Sequence, residues 1–296
     1  MDGRAFALVV LLCLVWGVQQ VFMKGVATAV APVMQLALRF AGGWVFFGVA
    51  VLRREGARSF LDAPYRSGLL MGSLFTLEFL LVGESLRYTT AAHTVVFLYT
   101  APIFTAIGVQ FLPNERLRGV QWLGVAVAFL GIATAFAGPG ARPVADLLFG
   151  DFLALLGGAA WGLSNVVLRR GRIGNASTAT TVFFQVGVAT PVLYLFAIGT
   201  GQSHVVFTAA AIGSLLFQTL VISILSYLVW FWLLRHYLTS RLMLMTLLTP
   251  LFGVVAGSVF LHDPIDARFA VGSMLVLAGI LIVNAQLIRS LVRGSG

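Results

Sequence analysis

Residues 161–167 read WGLSNVV, and 145 positions earlier residues 16–22 read WGVQQVF. Trp161 answers Trp16, Gly162 answers Gly17, and the amide of Asn165 answers that of Gln20. The surroundings are strongly apolar: 59% of the 296 residues are hydrophobic, only 10% are charged, and the mean hydropathy is +0.99. A soluble domain carries roughly 25% charged residues, so a bilayer must solvate most of this chain.

The echo extends beyond the tryptophans. LRYTTAAHTVVFLYTAPIF at 86–104 aligns with LRHYLTSRLMLMTLLTPLF at 234–252, at a spacing of 148. In that register Pro102 meets Pro250, Phe104 meets Phe252, and Glu115 meets Asp263. Gly124 meets Gly272, Gly131 meets Gly279, and Ile132 meets Ile280. An ordered set of this kind marks a duplication of about half the chain.

Apolar segments of membrane-crossing length fall at 5–23, 32–52, 67–87, 91–112, 119–137, 147–168, 178–200, 208–234, 239–261 and 267–288. Each is near the ~20 residues a helix needs to cross a ~30 Å hydrocarbon core. The expected fold is an all-α polytopic membrane protein of ten transmembrane helices. Two repeats divide it, residues 1–140 and 147–290. Five helices per repeat is an odd number, so the second copy enters the membrane from the opposite side. That is the inverted repeat of many secondary transporters.

Basic residues orient the chain. With the amino terminus inside, fourteen Lys and Arg fall in one set of alternate loops and ends, and four (Lys24, Arg87, Arg142, Arg268) fall on the other side. Arg39 lies within a span. Positive loops stay in the cytoplasm, which places both termini there. The same distribution accounts for the net charge of +9 without nucleic acid, since no soluble basic domain is present. The stretch MDGRAFALVVLLCLVWG imitates a signal peptide, but it carries half of the repeat and is expected to remain as the first helix.

These features together resemble the drug/metabolite transporter superfamily, EamA type. The residues that carry the resemblance are the WG pairs of helices one and six, the LRY-T-A approach to a proline-bearing fourth helix, Glu115 closing that helix, and Arg39 following Pro32 in helix two. Within the superfamily the chain is most similar to YddG-type exporters of aromatic and other neutral amino acids. The resemblance implies a central cavity lined mainly by helices one, three, four, six, eight and nine, with alternating access, in the bacterial inner (plasma) membrane. The second half departs from the pattern, with no arginine near Gln185, the counterpart of Arg39. Any role of Arg39 is therefore asymmetric.

Polar groups within spans are the candidate substrate-binding residues, because they are costly in a bilayer unless they face a cavity or a partner. Gln19 and Gln20 follow Trp16 by one turn, and Ser164 and Asn165 follow Trp161 in the same way. They form either a binding shelf of indole plus amide or ordinary interhelical hydrogen bonds. Glu78 reads as the only carboxylate deep in a span. At 1.5 Å per residue it lies about 13 Å below the outer surface and Arg39 about 10 Å below it. Three readings stand: an Arg39–Glu78 ion pair, recognition of a substrate ammonium or a proton by Glu78, and a snorkelling Arg39 beside an unrelated Glu78. Tyr227, Trp230 and Phe231 share one face of helix eight, and Tyr99 precedes Pro102. They suit an aromatic or aliphatic side chain, with cation–π help for an amine, or they pack the bundle. Pro102 and Pro250 are candidate hinges, leaving the carbonyls of Leu98 and Thr246 without their helical donors.

Catalysis is not supported. There is no HExxH, no P-loop and no aspartate pair, and the repeat mate of Gly162-Leu163-Ser164 is Gly17-Val18-Gln19, without a hydroxyl. Cys13 is the only cysteine, which excludes an internal disulfide and a thiolate cluster. No metal or cofactor is implied. The expected partners are a small amphiphilic metabolite and the lipid bilayer. The expected function is export of neutral or aromatic amino acids, with a broad drug or metabolite exporter as the alternative and an intramembrane enzyme a more distant one.

Overall fold

A bilayer offers the backbone no hydrogen bonds, so each span must satisfy its own amides, and the chain is accordingly helical. The structure, a computed structural model, describes residues 3–56, 65–111, 118–136, 144–170, 176–237, 242, 245–246, 248–283 and 285. Glu115, the expected mate of Asp263, and the side chain of Phe231 lie outside the described residues.

The helices, in chain order, are α1 (Gly3–Gly25), α2 (Pro32–Arg54), α3 (Tyr65–Tyr88), α4a (Ala91–Leu98), α4b (Ala101–Val109), α5 (Gly119–Phe136) and α6 (Val144–Arg170). They continue with α7 (Thr178–Gly199), α8a (Ala209–Leu216), the π-helical α8b (Phe217–Leu225), α8c (Ser226–His236), α9 (Leu248–Leu261) and α10 (Ala267–Val283). Among the described residues, seven helical stretches are long and apolar enough to cross a membrane, α4a–α4b and α8a–α8c each counting as one. Shorter apolar helices lie at Gly119–Ala135, Leu248–Leu261 and Ala267–Val283. No β-strand occurs among the described residues; a single antiparallel bridge, Val30 with Val205, joins the α1–α2 and α7–α8a loops.

Starts are set locally. Pro32 occupies the first turn of α2, where its missing N–H costs nothing. Thr90, Ser177 and Thr208 cap α4a, α7 and α8a by accepting from the amides of His93, Thr180 and Ala211.

Packing joins the two halves rather than consolidating each. α1 lies on α9, α2 on α7, α3 on α6 and α7, α4a and α4b on α6, and α5 on α10. Small residues set these approaches. A methyl group on Gly17 would come within 2.7 Å of Thr249 O, 2.8 Å of Gly253 N and 2.9 Å of Phe252 Cβ. One on Gly162 would come within 2.8 Å of Ala101 O, 2.9 Å of Thr105 N and 2.6 Å of Phe104 Cβ. Subtracting the 148-residue spacing turns the first set of neighbours into the second. The α5–α10 pair has the same property. Gly131 would meet Gly272 O at 2.6 Å, and Gly124 would meet Gly279 O at 2.7 Å, so the two helices run antiparallel in backbone contact. The tryptophan–glycine motif thus marks where each half grips the proline-bearing helix of the other.

Span four differs from the sequence expectation. A single helix over 91–112 with a proline kink was expected, but the helix is broken at Tyr99–Thr100, and Pro102 lies in the first turn of α4b. Thr100 covers the break, its N–H (3.2 Å) and hydroxyl (2.6 Å) both donating to Phe97 O. Pro250 likewise stands in the first turn of α9 as described. The Thr246 carbonyl, expected to lack a donor, accepts from Thr249 N–H at 3.0 Å.

Candidate functional site

Two aromatic pairs flank the middle of the bundle. Trp16 meets Trp230 edge to face at 5.4 Å, and its indole N–H donates to Ser226 Oγ at 3.0 Å. Tyr99 meets Trp161 edge to face at 5.2 Å. Each pair joins helices of different halves, α1 to α8c and α4 to α6. Such contacts add about 0.5–1.5 kcal/mol beyond burial.

Arg39 and Glu78 are both buried, at 1% and 5% exposure. They lie within electrostatic reach of each other and of Tyr227, and Tyr99 shares that neighbourhood through Glu78 and Tyr227. The ion pair allowed by their similar depth is nevertheless absent from the ion pairs among the described residues. The Arg39 guanidinium instead lies over the rings of Phe40 (4.6 Å) and Phe79 (5.1 Å), while its Nε and Nη1 have no hydrogen-bond partner among the described residues. Gln20 Oε1, Gln218 Oε1, Ser223 Oγ and Thr249 Oγ1 are also buried without hydrogen-bond partners among the described residues. Thr249 stands beside Tyr99 and Cys13. Each buried unsatisfied group costs about 1–3 kcal/mol, so α1, α2, α8b and α9 carry polar capacity that packing among the described residues leaves unused.

The two proposed shelves are unequal. Gln19 and Gln20 are buried, and the Gln20 carbonyl oxygen is unused. Their counterparts are spent on structure. Ser164 Oγ donates to Trp161 O in its own helix at 2.8 Å, and Asn165 Nδ2 donates to Thr105 Oγ1 on α4b at 3.4 Å.

Three buried polar features were missed in the sequence. Gln35 donates to Met23 O (2.9 Å) and Val30 O (2.7 Å), tying α2 to the end of α1 and to the α1–α2 loop, and Gln218 on α8b donates to Gln35 Oε1 at 2.8 Å. Asp151 is a second buried carboxylate, 1% exposed, so Glu78 does not stand alone. It accepts from Thr89 Oγ1 at 2.5 Å and bonds His93 Nδ1 at 2.8 Å. The repeat gave no warning: the mates of Asp151 and His93 are Phe6 and Arg241.

A separate apolar crevice of about 180 Å³ lies between α4a, α9 and α10. Tyr99, Pro250 and Phe269 line it, and exposed Leu251, Val255 and Met274 form its rim. It has the character of a lipid-facing surface, and of the polar neighbourhood above only Tyr99 reaches it. No group of three or more metal-ligating side chains occurs among the described residues.

Comparison with known proteins agrees with this architecture. The EamA-like transporter family matches residues 3–137 and again 148–285. An uncharacterized transporter of Bacillus subtilis, YoaV, is 24% identical over 91% of this chain and 92% of its own. A probable amino-acid metabolite efflux pump of Escherichia coli is 25% identical over 95% of each chain. A solved crystal structure superposes with a TM-score of 0.66 over 97% of this chain and 99% of its own, at 18% identity, a likeness of fold alone.

Proposed function

The chain belongs to the EamA-like transporter family, a family of membrane transporters and not of enzymes, and from that premise we propose that it exports neutral and aromatic amino acids by alternating access through a central cavity. All ten helices cross the bacterial plasma membrane in this reading, as two inverted five-helix repeats over 1–140 and 147–290, with both termini cytoplasmic. The exchanged contacts of Gly17 and Gly162 and the excess of basic residues on one side support it.

The observation that carries the substrate class is the pair of buried, opposite and mutually unpaired charges, Arg39 and Glu78. A free amino acid presents a carboxylate and an ammonium, and each finds an opposite charge here. Gln19, Gln20, Tyr99 and Tyr227 complete the polar side. Trp16 with Trp230 and Trp161 with Tyr99 form apolar walls for the side chain, and cation–π attraction assists the amine. Asn165 serves the site from behind by holding α6 against α4b, and Ser164 by bonding the Trp161 carbonyl within α6. The name of the Escherichia coli relative agrees with this class.

The test is uptake of a panel of labelled amino acids and organic cations into proteoliposomes, with and without a pH gradient. Saturable, mutually competing uptake of neutral and aromatic amino acids is expected. Transport of organic cations with no amino acid competing would overturn the zwitterion reading in favour of a broad drug exporter.

A further inference from the structure

The π-helical segment α8b departs from ordinary helix geometry, and it does so against α2. A π-helix bonds each amide five residues back instead of four, so positions four or five apart share a face. Gln218, Ser223 and Tyr227 have that spacing, and all three face α2. Gln218 Nε2 donates to Gln35 Oε1 at 2.8 Å. Ser223 Cβ lies 3.7 Å from where a Cβ on Gly43 would stand, and the Tyr227 ring meets Phe47 edge to face at 6.4 Å. An α-helix could not align them. At 3.6 residues per turn, the nine residues from Gln218 to Tyr227 make two and a half turns and point the two apart. Glycine permits the close approach, since a Cβ on Gly42 would come within 2.5 Å of Thr219 Cγ2.

Both ends of the segment are pinned. Gln35 spends its Nε2 protons on Met23 O and Val30 O, so its Oε1 accepts from Gln218 Nε2. That Nε2 also donates to Ser214 Oγ at 3.0 Å, and Ser214 Oγ donates to Phe22 O at 3.2 Å. At the other end Ser226 Oγ donates to Ile222 O and accepts from Trp16 Nε1. Between the pins Ser223 is 1% exposed, and its hydroxyl has no hydrogen-bond partner among the described residues. Thr76, Thr105, Thr190 and Ser226 each donate to the carbonyl four residues back, a common relief for a hydroxyl within a helix. Ser223 makes no such bond.

The unused hydroxyl stands beside unused donors. Arg39 lies one turn beyond Gln35 and one turn before Gly43 on the same face of α2, between the positions that meet Gln218 and Ser223. Tyr227, one turn past Ser223, is within electrostatic reach of Arg39. We propose that Ser223 is a further substrate-binding residue, set beside Arg39 by the π geometry of α8b, and that its hydroxyl donates to the substrate carboxylate held by Arg39. Of the two orphaned groups on α8b it alone suits an anion, because the Gln218 amide protons are spent and only the oxygen is left. A carboxylate offers about four acceptor sites, more than one edge of a guanidinium fills. This deepens the amino-acid reading and rests on it.

Two measurements test placement and role separately. In a Cys13→Ala background, Gly43→Cys with Ser223→Cys should close a disulfide on oxidation in the membrane, because 3.7 Å between the Cβ positions suits that bond. Gly43→Cys with Leu225→Cys should not. Leu225 is 54% exposed, and only an α-helical register, in which seven residues make about two turns, would carry it to the face of Gln218. The reverse pattern, or a cross-link in neither pair, would overturn the placement. Calorimetric binding to the purified protein reads the role. Ser223→Ala should weaken tryptophan binding about tenfold or more, through loss of a hydrogen bond to a charged group, and binding of tryptophan amide, which has no carboxylate, less than about twofold. Equal losses for the two ligands, or no loss, would overturn the assignment of Ser223 and leave the amino-acid reading in place. Binding of neither ligand by the parent protein would overturn the amino-acid reading and this assignment with it.

Discussion

Replacing Gly162 by alanine tests whether the tryptophan–glycine motif is a helix–helix grip. The added methyl would lie 2.6 Å from Phe104 Cβ, 2.8 Å from Ala101 O and 2.9 Å from Thr105 N. Non-bonded carbons prefer about 3.5–4.0 Å, so α6 and α4b must separate by roughly 1 Å. Two of the three neighbours are backbone atoms and the third is a Cβ, so no side chain can rotate away. Overpacking of this kind costs about 1–3 kcal/mol. Against it stands a helix-propensity gain of up to about 1 kcal/mol for alanine over glycine. Gly213 of α8a isolates that gain, since a methyl there meets nothing within 4 Å. Gly162→Ala should therefore unfold more easily than Gly213→Ala by about 2 kcal/mol, read from SDS titration in mixed micelles followed by circular dichroism. Gly17→Ala should match Gly162→Ala within about 1 kcal/mol, because its methyl meets the equivalent three atoms. The grip is refuted if Gly162→Ala tracks Gly213→Ala. Unequal costs at Gly17 and Gly162 would refute the equivalence of the two grips.

Trp230→Ala removes the edge-to-face partner of Trp16 and should lower tryptophan transport roughly tenfold, a loss of about 1.4 kcal/mol, while alanine transport changes little. Equal losses for both substrates would remove Trp230 from the specificity wall. Glu78→Gln should raise the KM for amino acids by about tenfold or more through loss of a charge-assisted contact of about 1.5–3 kcal/mol; an unchanged KM would detach Glu78 from the ammonium. Pro102→Ala should let α4a and α4b join into one helix and bias the population toward inward-open, and Pro250→Ala should bias it toward outward-open. Cysteine accessibility on the two sides measures this, and identical shifts in both variants would end the hinge assignment.

Composition and period alone determined that the chain is helical and membrane-embedded, that it is internally duplicated, and which glycines would matter. Those properties are local or additive: a span is apolar over about 20 residues wherever it packs, and a duplication survives as spacing. The tertiary structure decided which polar groups are already spent. Gln20 and Asn165 are matched in sequence, yet the first keeps an unpartnered oxygen and the second bonds Thr105, because α4b offers a hydroxyl at that height. Arg39 and Glu78 lie at similar depth, yet packing places phenyl rings rather than the carboxylate against the guanidinium. His93 and Asp151 are 58 residues apart and have no mates in the repeat, so no pattern along the chain could pair them. Pro102 was legible as a perturbation, but the break at Tyr99–Thr100 depends on Thr100 capping the open carbonyl of Phe97. Apolar burial is read from a residue and its neighbours in sequence. A hydrogen bond or a charge pair needs a partner at a definite distance and angle, and only the packed fold supplies that geometry.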